Sequence, residues 1–218
     1  ATNTTSGNIS LTNTAAPLTI TGISQAGGGN VAISNTGAIA TSGSITTAAN
    51  GNISLSSSGA MTIANNITAG GSGNVDLTVT GANTLLTPSA NSISSTTGAI
   101  TLTADKMALT GGTIAGGSGT VTLSNNTMTN AINLGSGTDI ANNTLELSST
   151  ELLTISSTGG LTIGNANNTG TITVSAPVAT TNATGGTTLI NKTGGISINN
   201  VLTSGDGTKA LTLIADGT

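Results

Sequence analysis

Apolar and small polar residues alternate along this chain in short bursts: Ile53-Ser54-Leu55, then Met61-Thr62-Ile63, then Ile67. A period of two sends successive side chains to opposite faces of an extended strand. Gly or Asn separates the bursts, at Gly59, Asn65-Asn66 and Gly70-Gly71-Ser72-Gly73, where the chain must turn and φ is free to be positive. Three short strands per repeat follow. No 3.6-residue stripe appears, and Thr, Ile and Val mixed with Gly, Ser and Asn form helix poorly, so helix is not expected.

The bursts recur. The motif Gly-Asn-[Ile/Val]-x-[Leu/Ile] begins at Gly7, Gly29, Gly51 and Gly73, with a step of 22 residues. Looser copies start their apolar pair at Ile100, Val121, Leu145, Ile172, Ile196 and Leu211. Repeats of this length with three short strands predict an all-β fold, a parallel β-solenoid whose coils stack about 4.8 Å apart. Ten motif copies predict about ten coils and a rod of about 45–50 Å. One inward apolar column is expected through Ile9, Val31, Ile53, Val75, Ile100, Val121, Leu145, Ile172, Ile196 and Leu211. Asn8, Asn30, Asn52 and Asn74 are expected to form a structural ladder of stacked side-chain amides, each bonded to the next coil. Residues 1–218 read as one continuous solenoid, most regular over 7–81 and irregular, with loops or bulges, over 124–171.

Composition narrows the chemistry. Among 218 residues there is no aromatic side chain, no Cys and no His; charged residues make up 5%, and the formal net charge is −4. Zinc sites, Fe–S clusters, Cys nucleophiles and Ser-His-Asp triads each need residues that are missing. An acidic chain without aromatic rings or Arg is also ill suited to nucleic acid. No apolar run approaches the length of a membrane helix, so membrane insertion is not expected. The chain starts Ala-Thr-Asn without a basic or hydrophobic leader, which predicts a mature protein or a segment of something longer.

The order of motifs within a repeat is informative: Gly-x-Ile-x-Leu, then Gly59-Ala60-Met61-Thr62-Ile63, then a third short strand. It resembles the passenger repeats of filamentous-haemagglutinin-type, two-partner-secreted bacterial adhesins. The likeness covers nearly the whole chain, through degenerate motifs that autotransporter passengers and giant bacterial surface proteins share. The resemblance implies a right-handed parallel β-helix, export to the bacterial cell surface or beyond it, and service as a stalk in attachment. The partner it implies is a receptor on a host or neighbouring cell. The family's secretion module carries Asn-Pro-Asn signatures, whereas the prolines here stand in Ala16-Pro17-Leu18, Thr87-Pro88-Ser89 and Ala176-Pro177-Val178. Interior passenger is therefore the part it resembles.

Parallel β-helices also carry polysaccharide-cleaving enzymes, so the acids need placing. At even spacing the outward column of the first strand reads Ser10, Ala32, Ser54, Asp76, Thr101, Thr122, Glu146, Thr173, Ser197, Thr212. Asp76 and Glu146 then stand about 14 Å apart at 4.8 Å per coil, too far for paired glycosidase carboxylates at about 5–9.5 Å. Asp139 and Glu151 fall near Glu146, but all three read as solvated surface acids. Gly70-Gly71-Ser72-Gly73-Asn74-Val75-Asp76 is similar to a calcium-binding nonapeptide with its Asp displaced, and its counterpart at Gly116–Thr122 holds no acid. Lys106, Lys192 and Lys209 occupy turn-like contexts and read as surface lysines. No catalytic residue, cofactor or metal site is expected. Thr is too irregular in the outward columns for a flat ice-binding array, although ice or glycan binding stands as a lesser alternative to the stalk.

The irregular stretch from Met128 to Ile172 holds both Glu residues, and loops there are the expected place for any binding. Both ends stay in repeat, so their edge strands invite more coils of a long chain or end-to-end self-association as a fibre or sheath subunit.

Overall fold

The computed structural model describes residues 1–216; residues 217 and 218, the last of the expected 1–218 segment, lie outside the described residues. The chain winds as an all-β parallel solenoid of about 10 turns, spaced ~22 residues apart, with almost no helix. Nine parallel strands make one continuous face: Ile9–Asn13, Val31–Asn35, Ile53–Ser57, Val75–Val79, Ile100–Thr103, Val121–Ser124, Leu161–Gly164, Thr187–Asn191 and Leu211–Ala215. A second face starts with Leu18–Ile20, Ile39–Thr41 and Met61–Ile63. The third starts with Thr2–Asn3, Ile23–Gln25, Ile45–Thr47 and Ile67–Ala69. Leu85–Ser95, 11 residues long, pairs with Met61–Ile63 at its beginning and Ile67–Ala69 at its end, so a single strand rounds the corner between these faces.

One coil shows why this sequence folds so. Ile53, Leu55, Met61, Ile63, Ile67 and Ala69 all turn inward and are at most 1% exposed. Each large one contributes about 1.5–3 kcal/mol through burial. The interior is only as wide as facing Ile, Leu and Met side chains, and in-register stacking fills it along the axis.

The Gly-Asn pair that opens the repeat has two separate jobs. A Cβ on Gly29, Gly51, Gly73, Gly98 or Gly119 would fall onto the carbonyl oxygen of Gly7, Gly29, Gly51, Gly73 or Gly98, respectively, one coil earlier. Glycine is thus the residue that lets the coils close to strand spacing at this corner. The neighbouring Asn side chains bind the coils axially. Oδ1 of Asn8, Asn30 and Asn52 accepts the main-chain N–H of Asn30, Asn52 and Asn74 at 2.9, 2.8 and 2.8 Å, and Asn74 does the same for Ala99 at 2.9 Å. The ladder therefore runs from side-chain oxygen to main-chain N–H, in place of the expected stack of amide on amide.

The expected inward column divides after Val121. Ile9, Val31, Ile53, Val75, Ile100 and Val121 stack in register, but the next members of that column are Leu161, Thr187 and Leu211. Leu145, Ile172 and Ile196 belong to the second face, stacked with Ile132. The cause is an extra strand. Between Val121 and Leu161 the chain lays Ala131–Leu134 on the second face, loops through residues 135–143, and returns as Thr144–Leu147 on the same face. One coil thus places two strands on one face and one on each of the others. Even spacing could not register that insertion.

The third face gives way in response. Ile155–Ser156 pairs back to Ile114–Ala115, whereas Val178–Thr180 pairs only forward to Leu202–Ser204. Beside this break lies a single helical turn of four residues, Ser149–Leu152, in a chain otherwise described as strands and turns. Ser149 Oγ accepts the N–H of Ala179 at 3.0 Å, so the turn satisfies a strand-edge donor that a neighbouring strand would have met, and Asn182 Nδ2 in turn donates to the Leu153 carbonyl at the end of the turn at 2.6 Å.

Candidate functional site

The inserted half-coil and the segments beside it hold five of the ten ionisable side chains: Asp105, Lys106, Asp139, Glu146 and Glu151. Asp105, Glu146 and Glu151, expected on the surface or left unassigned, are 0%, 5% and 2% exposed, so the reading of Glu146 and Glu151 as solvated surface acids is corrected. Each carboxylate is held by donors from its own chain. Asp105 accepts the N–H of Asn83 at 3.2 Å, the N–H of Thr127 at 2.7 Å and the Thr127 hydroxyl at 2.7 Å. That ties coils across 22 residues of sequence.

Glu151 sits at the third position of the helical turn. Ser148 caps the turn through its side chain, and Glu151 Oε2 reaches back to the Ser148 N–H at 2.9 Å and its hydroxyl at 2.8 Å. The other oxygen accepts the buried N–H of Leu109 at 3.0 Å. Ser148-Ser149-Thr150-Glu151 fits the Ser-x-x-Glu capping box, a helix-start signal in the sequence that the alternation of apolar and polar residues does not carry.

Glu146 belongs to Thr144–Leu147 and is the knot of the loop before it. Its carboxylate accepts the Ser136 and Thr138 hydroxyls and, at 3.0 Å, the N–H of Ala141. Burial pushes its pKa up, but the bonds from Ser136, the Ala141 main chain, Thr138 and the Ile140 main chain together bring it below its ordinary value. Asp139, at the tip of the same loop with φ at +54°, is in the opposite position. Its Oδ1 is buried with no hydrogen-bond partner. Burial, then the charges of Glu151 and Glu146, push its pKa up to about 7 against the opposing effect of Lys106. Lys106, expected on a surface turn, is half-buried in Lys106–Met107 and donates to the Ile140 carbonyl at 3.3 Å. Lys192 and Lys209 are exposed.

Asp76 and Glu146, placed in one column by even spacing, lie on different faces. Asp76 stands outward on the first face between Ser54 and Thr101, while Glu146 pairs with Asn133 on the second. Thr162 and Thr188 take the positions that even spacing gave to Glu146, Thr173 and Ser197. Thr101, Thr122, Thr162, Thr188 and Thr212 therefore follow one another without interruption. The ladder residues Asn8, Asn30, Asn52 and Asn74 are exposed at the corner of the regular coils, remote in sequence from the insertion. Among the described residues, no three His, Cys, Asp or Glu side chains are grouped to hold a metal ion. No helix among the described residues is long and apolar enough to cross a membrane.

The buried acids thus serve first as acceptors for main-chain and hydroxyl donors in a place where the repeat is broken. Set against known proteins, the chain matches no family model, no curated protein and no solved structure at a significant level.

Proposed function

We propose that this chain is a structural stalk segment of a bacterial surface-exposed or secreted adhesin, holding a binding region away from the cell and performing no catalysis itself. The observation that carries the reading is the nine-stranded parallel face that runs from Ile9–Asn13 to Leu211–Ala215. It passes through the insertion unbroken, because Val121 pairs directly with Leu161. Main-chain hydrogen bonds along the axis and a buried apolar interior suit a rod that transmits tension. The repeat's resemblance to filamentous-haemagglutinin-type passengers supports the same reading, including export and a receptor on a host or neighbouring cell. Low charge with hydroxyl and amide surfaces fits an exposed rod whose solubility comes from Ser, Thr and Asn.

A second reading is a self-assembling fibre or sheath subunit. Ile9–Asn13 and Leu211–Ala215 each pair on the first face with a single strand, and Leu11, Leu211, Leu213 and Ile214 are 41%, 37%, 48% and 42% exposed. Such edges fit a further coil, whether of the same chain or of another copy. Intact mass and negative-stain images of the polypeptide from its native source test both readings. A mass far above 20.6 kDa with long thin rods is the result expected for a stalk. Filaments built from chains near 20.6 kDa would favour the subunit. Chains of that mass that remain single short particles would contradict both.

A further inference from the structure

The loop of residues 135–143 is fixed at both ends and held in the middle by one carboxylate. At its start, the N–H of Gly135 donates to the Leu147 carbonyl at 2.8 Å. At its end, the N–H of Asn143 donates to Asn83 Oδ1 at 2.7 Å. Between these anchors the contacts are Ser136, Thr138 and Ala141 on Glu146, and the Lys106 amine on the Ile140 carbonyl. Asp139 rides at the tip, its Oδ1 buried without a partner, and next to it Ile140 is 78% exposed.

The charges around that tip do not balance. The groups that act on Asp139 are Glu146 of Thr144–Leu147, Glu151 of the helical turn and Lys106 of Lys106–Met107. With Asp139 ionised, three carboxylates face one ammonium, and the one with a buried oxygen lacking a donor is the one on the loop. With Asp139 protonated, the imbalance falls and a neutral carboxyl occupies the buried position at much lower cost. Asp139 also holds a left-handed backbone conformation that Asp and Asn tolerate better than other non-glycine residues.

We propose that loop 135–143 is a proton-operated latch: it stays seated on Glu146 while Asp139 is neutral and lifts between its two anchors when Asp139 ionises. Lifting strips the Glu146 carboxylate of its loop donors and uncovers the adjoining side of Thr144–Leu147, while Gly135 and Asn143 remain tied. The solenoid itself is undisturbed, because the first face bypasses the insertion. The rise of the Asp139 pKa from 3.8 to about 7 places the transition between those two values.

Amide hydrogen exchange on the intact chain reads the latch directly, at the N–H of Ala141, which donates to Glu146. After correction for the intrinsic pH dependence of exchange, protection of this amide is expected to fall by up to about ten-fold per pH unit as pH rises from 3.8 to about 7, and to level off above that. Protection at Val75, in the regular coils, should stay constant. Asp139→Asn keeps the shape and the left-handed conformation but cannot ionise, and should keep Ala141 protected throughout pH 5.5 to 8.5, a range chosen to span about 7. Lys106→Met removes the opposing charge and should carry the fall to higher pH than in the wild type before it levels off. Constant protection of Ala141 in the wild type, or an equal loss in Asp139→Asn, would overturn the proposal. So would a levelling-off that Lys106→Met leaves unmoved or moves to lower pH.

Discussion

Glu151 and Leu109, 42 residues apart in sequence, are joined by a hydrogen bond of 3.0 Å from the Leu109 main chain to the Glu151 carboxylate. Both residues are buried, and the same carboxylate closes the cap of the helical turn. Removing it strands the Leu109 N–H and opens the cap together. Glu151→Ala is expected to cost about 3 kcal/mol, and Glu151→Gln, which keeps an acceptor oxygen, distinctly less. Urea unfolding of the two variants measures the difference. Equal midpoints for both and for the parent would contradict the contact.

The orientation of the first-face strands is tested at two adjacent positions. Ile53 is fully buried and Ser54 faces outward. Ile53→Asp places an unpaired charge in the apolar column and is expected to cost more than about 4 kcal/mol. Ser54→Asp should stay within about 0.5 kcal/mol of the parent, since the same outward column already carries Asp76. Thermal melts that coincide for the two variants would refute the assignment of faces.

At Asn52 the atoms involved decide the outcome. Its Oδ1 accepts the N–H of Asn74 at 2.8 Å, and its own N–H donates to Asn30. Asn52→Ala should cost about 0.5–1.5 kcal/mol, the loss of one hydrogen bond. Asn52→Asp retains the acceptor and should cost less. A ladder of amide on amide requires the reverse of that expectation for Asp, because a carboxylate cannot donate. Chemical denaturation of both variants separates the two.

Two groups in the insertion give stability opposite slopes with pH. Glu146 has its pKa lowered on folding, so its contribution is complete above its ordinary value of 4.5 and is lost as pH falls through the lowered one. Asp139 has its pKa raised from 3.8 to about 7, so its effect is most favourable below 3.8 and is lost as pH rises to about 7. Above 4.5 only the Asp139 loss acts, so stability should fall from there to about pH 7, while below 4.5 the loss of the Glu146 contribution opposes the Asp139 gain. Denaturation midpoints from pH 3 to 8, a range spanning about 3.8 to 7, should show this decline on the neutral side. Asp139→Asn should flatten the neutral side and Glu146→Gln the acid side.

The regular coils were legible because one period controls everything there. From Gly7 to Val79 each repeat supplies Gly for the close corner, Asn for the axial bond and inward Ile, Val, Leu or Met, so spacing alone fixes the register. Beyond Val121 the spacing misleads. Leu145-Glu146-Leu147 has the look of a first-face strand, and its apolar pair does turn inward, but on another face. Alternation says which side of a strand is buried and nothing about which sheet receives it. The helical turn was signalled by Ser148 and Glu151, whereas burial of Asp105, Glu146 and Glu151 was hidden. Their partners are main-chain groups and hydroxyls from other segments: Asn83 and Thr127 for Asp105, Leu109 and the capping Ser148 for Glu151, and the loop that the insertion adds for Glu146.

The stacking of Thr122 on Thr162 is the most direct test, because it holds only if the chain inserts a strand on the second face and leaves the first unbroken. In the double variant Thr122→Cys with Thr162→Cys, paired positions on neighbouring strands fall in the range for a disulfide, about 4.4–6.8 Å between Cα atoms. Mild oxidation should form the bond nearly completely, with the parent's thermal stability retained or raised. Thr122→Cys with Glu146→Cys, the neighbours that even spacing would give, should remain reduced under the same conditions. A disulfide in the second variant and free thiols in the first would contradict the fold on which the stalk and the latch both depend.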